Sequence, residues 1–282
     1  MSRIQDILAK AERDGTARAT HAGVVPPAPS VVARIPIPFT ESALDPTTPV
    51  ASAVAARATS SLLDAQPAGR TARPTLHRTL VSAIAPHSDA AERYRALRAR
   101  VAQREELTPV RVIAITSPGT AEGKSVTAAN LALAMAQEFQ RNVLLVDGDL
   151  RTPAVHSLFG IDSAPGLSEV LSGTATLEEA LLVLPELRLT VLTAGAIPDY
   201  PSELLGSSTM RRTLDALRTR FDRIVLDLPG LMPLADVGTV APMVDSTLMV
   251  VRVGVTQRPA LDEALAAVDQ QKVLGIVLNE VH

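Results

Sequence analysis

From residue 110 onward, short apolar runs alternate with stretches in which apolar residues recur every three or four positions. The runs at 110–116, 142–146, 189–193, 223–228, 246–253 and 273–278 predict strands. The periodic stretches at 124–139, 202–220 and 259–272 predict helices, with shorter ones at 167–171 and 177–184. VLLV, RIVLDL and TLMVVRV show almost no polar alternation, as strands buried on both faces do. Interleaved with helices, they predict an α/β fold: a doubly wound, mostly parallel sheet flanked by helices.

Residues 1–88 have a different texture. They hold ten of the 21 prolines, in segments such as PPAPS (26–30), RIPIPF (34–39) and DPTTP (45–49), followed by an Ala/Ser/Thr run over 50–61. Large apolar residues seldom cluster there, and the prolines interrupt backbone pairing, so 1–88 is expected to be largely disordered and 89–282 to form the folded domain. The first stretch carries nine basic and six acidic residues, a weak pointer to acidic partners or lipid head groups. One short amphipathic helix is predicted near 2–13. Ser2 and Gln5 have capping-box spacing, Ile4, Ile7, Leu8 and Ala11 share a stripe, and Asp14-Gly15 ends it. Such a helix either packs on its own domain or docks on a partner.

Composition removes several function classes. There is no cysteine, which excludes disulfide frameworks, thiolate metal sites and thiol catalysis. The net charge of −3 and an aromatic content of 2% argue against nucleic acid as a partner. No apolar run approaches the roughly 18 residues of a membrane span, so a cytoplasmic protein is expected.

The chemistry begins where the first strand meets the first long helix, in Ser117-Pro118-Gly119-Thr120-Ala121-Glu122-Gly123-Lys124-Ser125. Gly123-Lys124-Ser125 ends a GxxxxGK[ST] phosphate loop, with Pro118 at the first glycine's position and Gly119 one residue later. Such a loop wraps backbone N–H groups around phosphate oxygens, and the helix N-terminus adds its positive end. Gly119, Thr120, Ala121, Glu122, Gly123, Lys124, Ser125 and Val126 are therefore the candidate nucleotide-phosphate-binding residues. Lys124 would reach the β/γ-phosphates and Ser125 would ligate Mg²⁺. The second strand ends in Asp147-Gly148-Asp149-Leu150-Arg151, at the edge where ligands bind such sheets. One carboxylate there can hold metal and another accept a proton, with Arg151 balancing the charge or touching phosphate. A later strand ends in Val225-Leu226-Asp227, a second place for a carboxylate that supports Mg²⁺.

Taken in order, these motifs resemble the bacterial tyrosine kinases of exopolysaccharide and capsule loci, a branch of the MinD/ParA-type P-loop ATPases. The resemblance runs from about residue 88 to 282. It includes VLLVDGDLRTPAVHSLFG (143–160), GLSEVLSG (166–173), AGAIPDYPSELLGS (194–207), FDRIVLDLP (221–229), DSTLMVVRVGVT (245–256) and VLGIVLNEV (273–281). The opening MSRIQDILAKAER is similar to the start of stand-alone members. The resemblance implies a P-loop NTPase fold, ATP and Mg²⁺ as cofactors, Asp147 as candidate base, and Asp149 and Asp227 around the metal. It also implies self-association through Glu92, Arg95 and Arg98, which match an ExxRxxR motif. Their i, i+3, i+6 spacing places them on one helix face, where internal ion pairs are the plainer alternative.

Two departures from the family pattern stand out. Thr120-Ala121 occupy the positions of a usual Pro-Gly, and the sequence carries no tyrosine cluster after its last predicted strand, only Tyr94 and Tyr200. Two function classes follow. One is an ATP-Mg-dependent tyrosine kinase working beneath a membrane-bound polysaccharide chain-length regulator, peripheral to the inner membrane face. The other is a MinD/ParA-like ATPase switch that controls assembly and phosphorylates nothing. With so few tyrosines, slow ATP hydrolysis, at most weak labelling of Tyr94 by a neighbouring subunit, and kinase activity toward another protein are expected.

Overall fold

The computed structural model describes residues 69–105, 108–231 and 236–279. The predicted helix near 2–13 and most of the N-terminal region lie outside them. Eight strands form one sheet: β1 (Arg70–Thr71), β2 (Val112–Thr116), β3 (Val143–Asp147), β4 (Leu181–Leu184), β5 (Leu189–Leu192), β6 (Arg223–Asp227), β7 (Ser246–Arg252) and β8 (Val273–Asn279). Their order is β1-β4-β5-β3-β6-β2-β7-β8, parallel throughout except for the β4–β5 pair. The helices are α1 (Val81–Ile84), α2 (Asp89–Glu105), α3 (Lys124–Ala136), α4 (Val155–Phe159), α5 (Leu167–Ser172), α6 (Leu177–Ala180), α7 (Pro201–Leu205), α8 (Ser208–Arg220), α9 (Asp236–Val240) and α10 (Arg258–Ala266). The predicted doubly wound α/β fold is the observed one.

The core lies between the sheet and α3. Ile113, Ile115, Leu145, Val225 and Leu248 from the strands pack with Leu131 and Met135 of that helix. Nearly every residue of α3 is buried, which suits its run of alanines: small side chains let the helix press close to the strands. By contrast α8 is one-sided. Met210, Thr213, Leu214 and Leu217 face inward, and the Ser207 hydroxyl accepts the Met210 N–H to cap its start.

Three sequence expectations change. The stretch 177–184 is not one helix, because a single capped turn, α6, is followed by Leu181-Leu182-Val183-Leu184 as strand β4, paired with both β5 and β1. The stretch 202–220 is two helices separated by Gly206 and the capping Ser207. The folded unit also reaches further back than residue 89. β1 joins the sheet, Leu80 is fully buried, and Asn130 of α3 accepts the Ser82 N–H at 2.9 Å while donating to the Thr79 carbonyl. Pro74 and Pro86 fit this segment because it is mostly non-repetitive chain with only a short edge strand and one helical turn.

Candidate functional site

β6 sits between β2 and β3, so three adjacent parallel strands end at one crevice. Asp227 is the register partner of both Ile115 and Asp147, which sets the two aspartates side by side at the same level. Gly148 makes the next step possible. Its N–H donates to the Asp227 carbonyl at 2.8 Å, and a Cβ there would stand 2.9 Å from that same oxygen.

The loop 117–123 folds over the strand ends. Thr116 Oγ1 donates to the Pro229 carbonyl at 2.7 Å, and the Leu231 N–H donates to the Ser117 carbonyl at 2.8 Å. Gly230 has no room for a side chain against the Gly119 carbonyl. Ala121 stands at φ +57° and Gly123 at φ +90°. Ala121 thus holds the left-handed conformation that a glycine at this family position adopts freely, so the departure at Thr120-Ala121 is absorbed as backbone strain of roughly 1–2 kcal/mol. Thr120 and Ala121 form the exposed crest, Gly119 is half-buried, and the Val126 side chain packs against the core. No side chain caps the start of α3, unlike α6 and α8, whose first N–H groups are met by Thr176 and Ser207.

Four charged side chains converge beneath this loop. Lys124 Nζ donates to Asp149 Oδ2 at 2.6 Å and to Ser125 Oγ at 3.3 Å, and lies 3.9 Å from Asp227 Oδ1. Burial works against the Lys124 charge, but Asp227 and Asp149 outweigh it and hold its pKa above the ordinary lysine value. Asp149 also accepts the Thr152 N–H at 2.9 Å and the Thr152 hydroxyl at 3.0 Å. Asp147 accepts the N–H groups of Ala154 and Val155 at 3.1 and 3.0 Å. Burial, then the neighbouring Asp227 charge, raise the Asp147 pKa to about 7 despite those donors. Burial likewise raises Asp227 to about 6, with the Lys124 charge and the nearby Ser125 hydroxyl opposing. No donor reaches hydrogen-bond geometry on either Asp227 oxygen, although both are buried.

Three carboxylates around one ammonium leave an excess of negative charge and two unmet buried oxygens. That donor set suits a hard divalent cation. Asp227, Ser125 and Asp149 therefore fit a magnesium ion chemically, and Lys124 has within reach both the carboxylates and the loop.

Other expected site residues lie differently. The Arg151 guanidinium reaches Ser202 Oγ at the start of α7, at 2.9 Å, across the crevice mouth. Glu92 and Arg95 pair with each other at 2.6 Å on the exposed face of α2. Arg98 turns inward, donating to the Ala134 carbonyl at 2.7 Å and pairing with Glu138 at 3.3 Å near the end of α3. Within one chain, then, Glu92 and Arg95 make the internal pair that their spacing also allowed, whereas the Arg98 contacts to α3 are ones the spacing did not announce. Tyr94 lies partly buried beside Thr127 of α3, and burial raises its pKa, whereas Tyr200 is 69% exposed. Sequence reasoning passed over Thr152, Thr256 and Asn279. The Thr152 contact is local and follows from the DGDLRT spacing, an aspartate bonding to the backbone and hydroxyl three residues on.

Residues 113–282 match the CobQ/CobB/MinD/ParA nucleotide binding domain family. The tyrosine-protein kinase YwqD of Bacillus subtilis (strain 168) is 33% identical over 206 residues, 72% of this chain and 86% of that protein. The succinoglycan biosynthesis transport protein ExoP of Rhizobium meliloti (strain 1021) is 34% identical over 70% of this chain, but the match spans only 25% of ExoP. Among solved structures, the kinase domain of the Escherichia coli tyrosine kinase ETK superposes with a TM-score of 0.68 at 29% identity, covering 72% of this chain and 80% of that one. Among the described residues, no helix is long and apolar enough to cross a membrane.

Proposed function

The chain belongs to the bacterial tyrosine-protein kinases within the CobQ/CobB/MinD/ParA nucleotide-binding family, and from that premise we propose that it is an ATP- and Mg²⁺-dependent protein-tyrosine kinase acting in exopolysaccharide or capsule synthesis and export. The observation that carries the reading is the buried Lys124–Asp149–Asp227 cluster under the phosphate loop, with both Asp227 oxygens unmet. Asp227, Ser125 and Asp149 would hold magnesium, which neutralises phosphate charge when bound. The open N–H groups at the start of α3 and the residues 119–126 receive the nucleotide phosphates. Lys124 exchanges its Asp149 contact for a phosphate oxygen.

Asp147 is the base. A carboxylate with a pKa of about 7 is ionised often enough at neutral pH to take the proton of a tyrosine hydroxyl. As that proton leaves, the phenolic oxygen bonds to the γ-phosphorus and the bond to the β-γ bridging oxygen breaks, ADP departing. Arg151, held on Ser202 at the crevice mouth, is positioned to receive the acceptor side.

For acceptor and partner, ExoP is instructive, since its matching region is a quarter of a longer transport protein. We assign to this chain a place at the cytosolic face of a membrane-bound chain-length regulator. Self-association runs through the exposed Glu92 and Arg95, with Arg98 bracing α2 on α3. Tyr200, not Tyr94, is the accessible tyrosine of the described residues. Labelled ATP, given to the purified protein with and without a tyrosine-bearing cytosolic segment of that regulator, tests the reading. Label on tyrosine supports it; free phosphate with no labelled protein favours the ATPase switch.

A further inference from the structure

The phosphate loop is held from outside by two side chains far from it in sequence. Asn279, at the end of β8, donates from Nδ2 to the Glu122 carbonyl at 3.0 Å. Its amide lies so close to Gly123 that a Cβ there would collide with it. Thr256, after β7, donates its hydroxyl to Glu122 Oε1 at 2.7 Å. The same hydroxyl accepts the Arg252 N–H at 3.0 Å, which ties it to a turn whose Gly254 has φ +76°. Glu122 is 5% exposed, and its other oxygen, Oε2, is buried without a partner. A carboxylate is thus buried inside a loop that must receive anions; it is held by the β7–α10 turn, while the backbone carbonyl of the same residue is held by β8.

In a trans peptide the C=O of one residue and the N–H of the next point in opposite directions. Fixing the Glu122 carbonyl on Asn279 therefore turns the Gly123 N–H away from β8, toward the inside of the loop. The residues on either side of Glu122 sit at positive φ, where the peptide planes have few alternatives once one is fixed.

We propose that Asn279 and Thr256 are positioning residues that clamp the phosphate loop through Glu122, so that the Gly123 N–H faces the phosphates before they arrive. This rests on the assignment of residues 119–126 as the phosphate site. The clamp acts on the phosphates and not on the base or sugar of the nucleotide, which gives it a distinctive signature.

The test titrates Mg-ATP and, separately, Mg-tripolyphosphate, which has no base or sugar, into the full chain by calorimetry. Asn279→Leu and Thr256→Val should each weaken both ligands by the same factor, about tenfold for a lost hydrogen bond that orders a binding loop. Thr256→Ser, which keeps the hydroxyl, should restore wild-type affinity, whereas nucleotide-free Thr256→Val, which leaves the Glu122 carboxylate and the Arg252 N–H unmet, should melt somewhat lower while keeping the wild-type circular dichroism spectrum. A loss confined to ATP would mean that Asn279 meets the base or sugar, and would overturn the clamp, as would unchanged affinity for both ligands. If Asn279→Leu does not fold, the Thr256 pair decides alone. Should Lys124→Ala bind tripolyphosphate as well as wild type does, the phosphate-site assignment itself fails.

Discussion

Replacing Asp227 by asparagine removes a buried charge whose two oxygens accept no hydrogen bond. Its pKa is raised from 3.8 to about 6, chiefly by burial. The folded state therefore binds more protons than the unfolded chain between those values, and stability falls as pH rises through that window. Above it the ionised group costs about 3 kcal/mol, at about 1.4 kcal/mol per pKa unit. Asparagine carries no such cost. It leaves a buried amide to satisfy, which returns about 1 kcal/mol, for a net gain of about 2 kcal/mol. Lys124 keeps its 2.6 Å contact with Asp149 in the variant. For a folded unit of this size the gain corresponds to roughly 4–8 °C in melting temperature. Thermal unfolding followed by circular dichroism, without nucleotide and in a chelator, should show wild type and variant melting alike near pH 4. The curves should separate above pH 5, with the variant higher at pH 8. A variant that melts lower at pH 8, or an offset independent of pH, would refute the claim that this carboxylate is held at a loss for the sake of a ligand.

Three further outcomes are expected. With Asp147 as base, kcat/KM for phosphotransfer should rise with pH toward a plateau above about 7, and Asp147→Asn should lose that dependence with roughly 10²–10⁴ of the rate; a variant with the same pH profile would remove Asp147 from proton transfer. Ala121→Gly should relieve the positive φ at the loop crest and stabilise the nucleotide-free protein by about 1 kcal/mol, net of glycine's entropy, which thermal melts would detect. Changing Arg95 to Ala should lower the mass seen by light scattering without altering ATP affinity, whereas Arg98→Ala, which removes two contacts to the end of α3, should also lower the melting temperature; equal effects of the two would deny Arg98 its bracing role.

The parts of the site that are local in sequence were legible in it. Gly123-Lys124-Ser125 opens the helix that follows β2 and Asp147-Gly148-Asp149 begins at the end of β3, each after a buried apolar run, and the chemistry of either can be read within ten residues. What the sequence does not encode locally is strand order. Nothing in RIVLD announces that β6 inserts between β2 and β3, yet that insertion sets Asp227 beside Asp147 and buries both, and burial is the chief cause of their raised pKa values. The Glu122 contacts were hidden for the same reason, since Thr256 and Asn279 are 134 and 157 residues away. LLVL at 181–184 reads as the end of a helix in sequence because a four-residue apolar run after a helical turn fits either period, and only pairing with β5 makes it a strand. The prolines of 69–88 resemble those of the N-terminal region, while the burial of Leu80 and the Asn130 contacts to Thr79 and Ser82 depend on α3, about 50 residues on.

The central claim is that Lys124 and the three aspartates beneath the loop form one Mg-ATP site, and isothermal titration of ATP into the wild type, Lys124→Ala and Asp227→Asn, with and without magnesium, tests it most directly. Wild type should bind Mg-ATP more tightly than ATP alone. Lys124→Ala should lose at least about a hundredfold in either condition, as expected when a charged partner is removed from a desolvated pair. Asp227→Asn should abolish the advantage that magnesium gives while leaving metal-free binding largely intact. Magnesium-enhanced binding that survives in both variants would contradict the account.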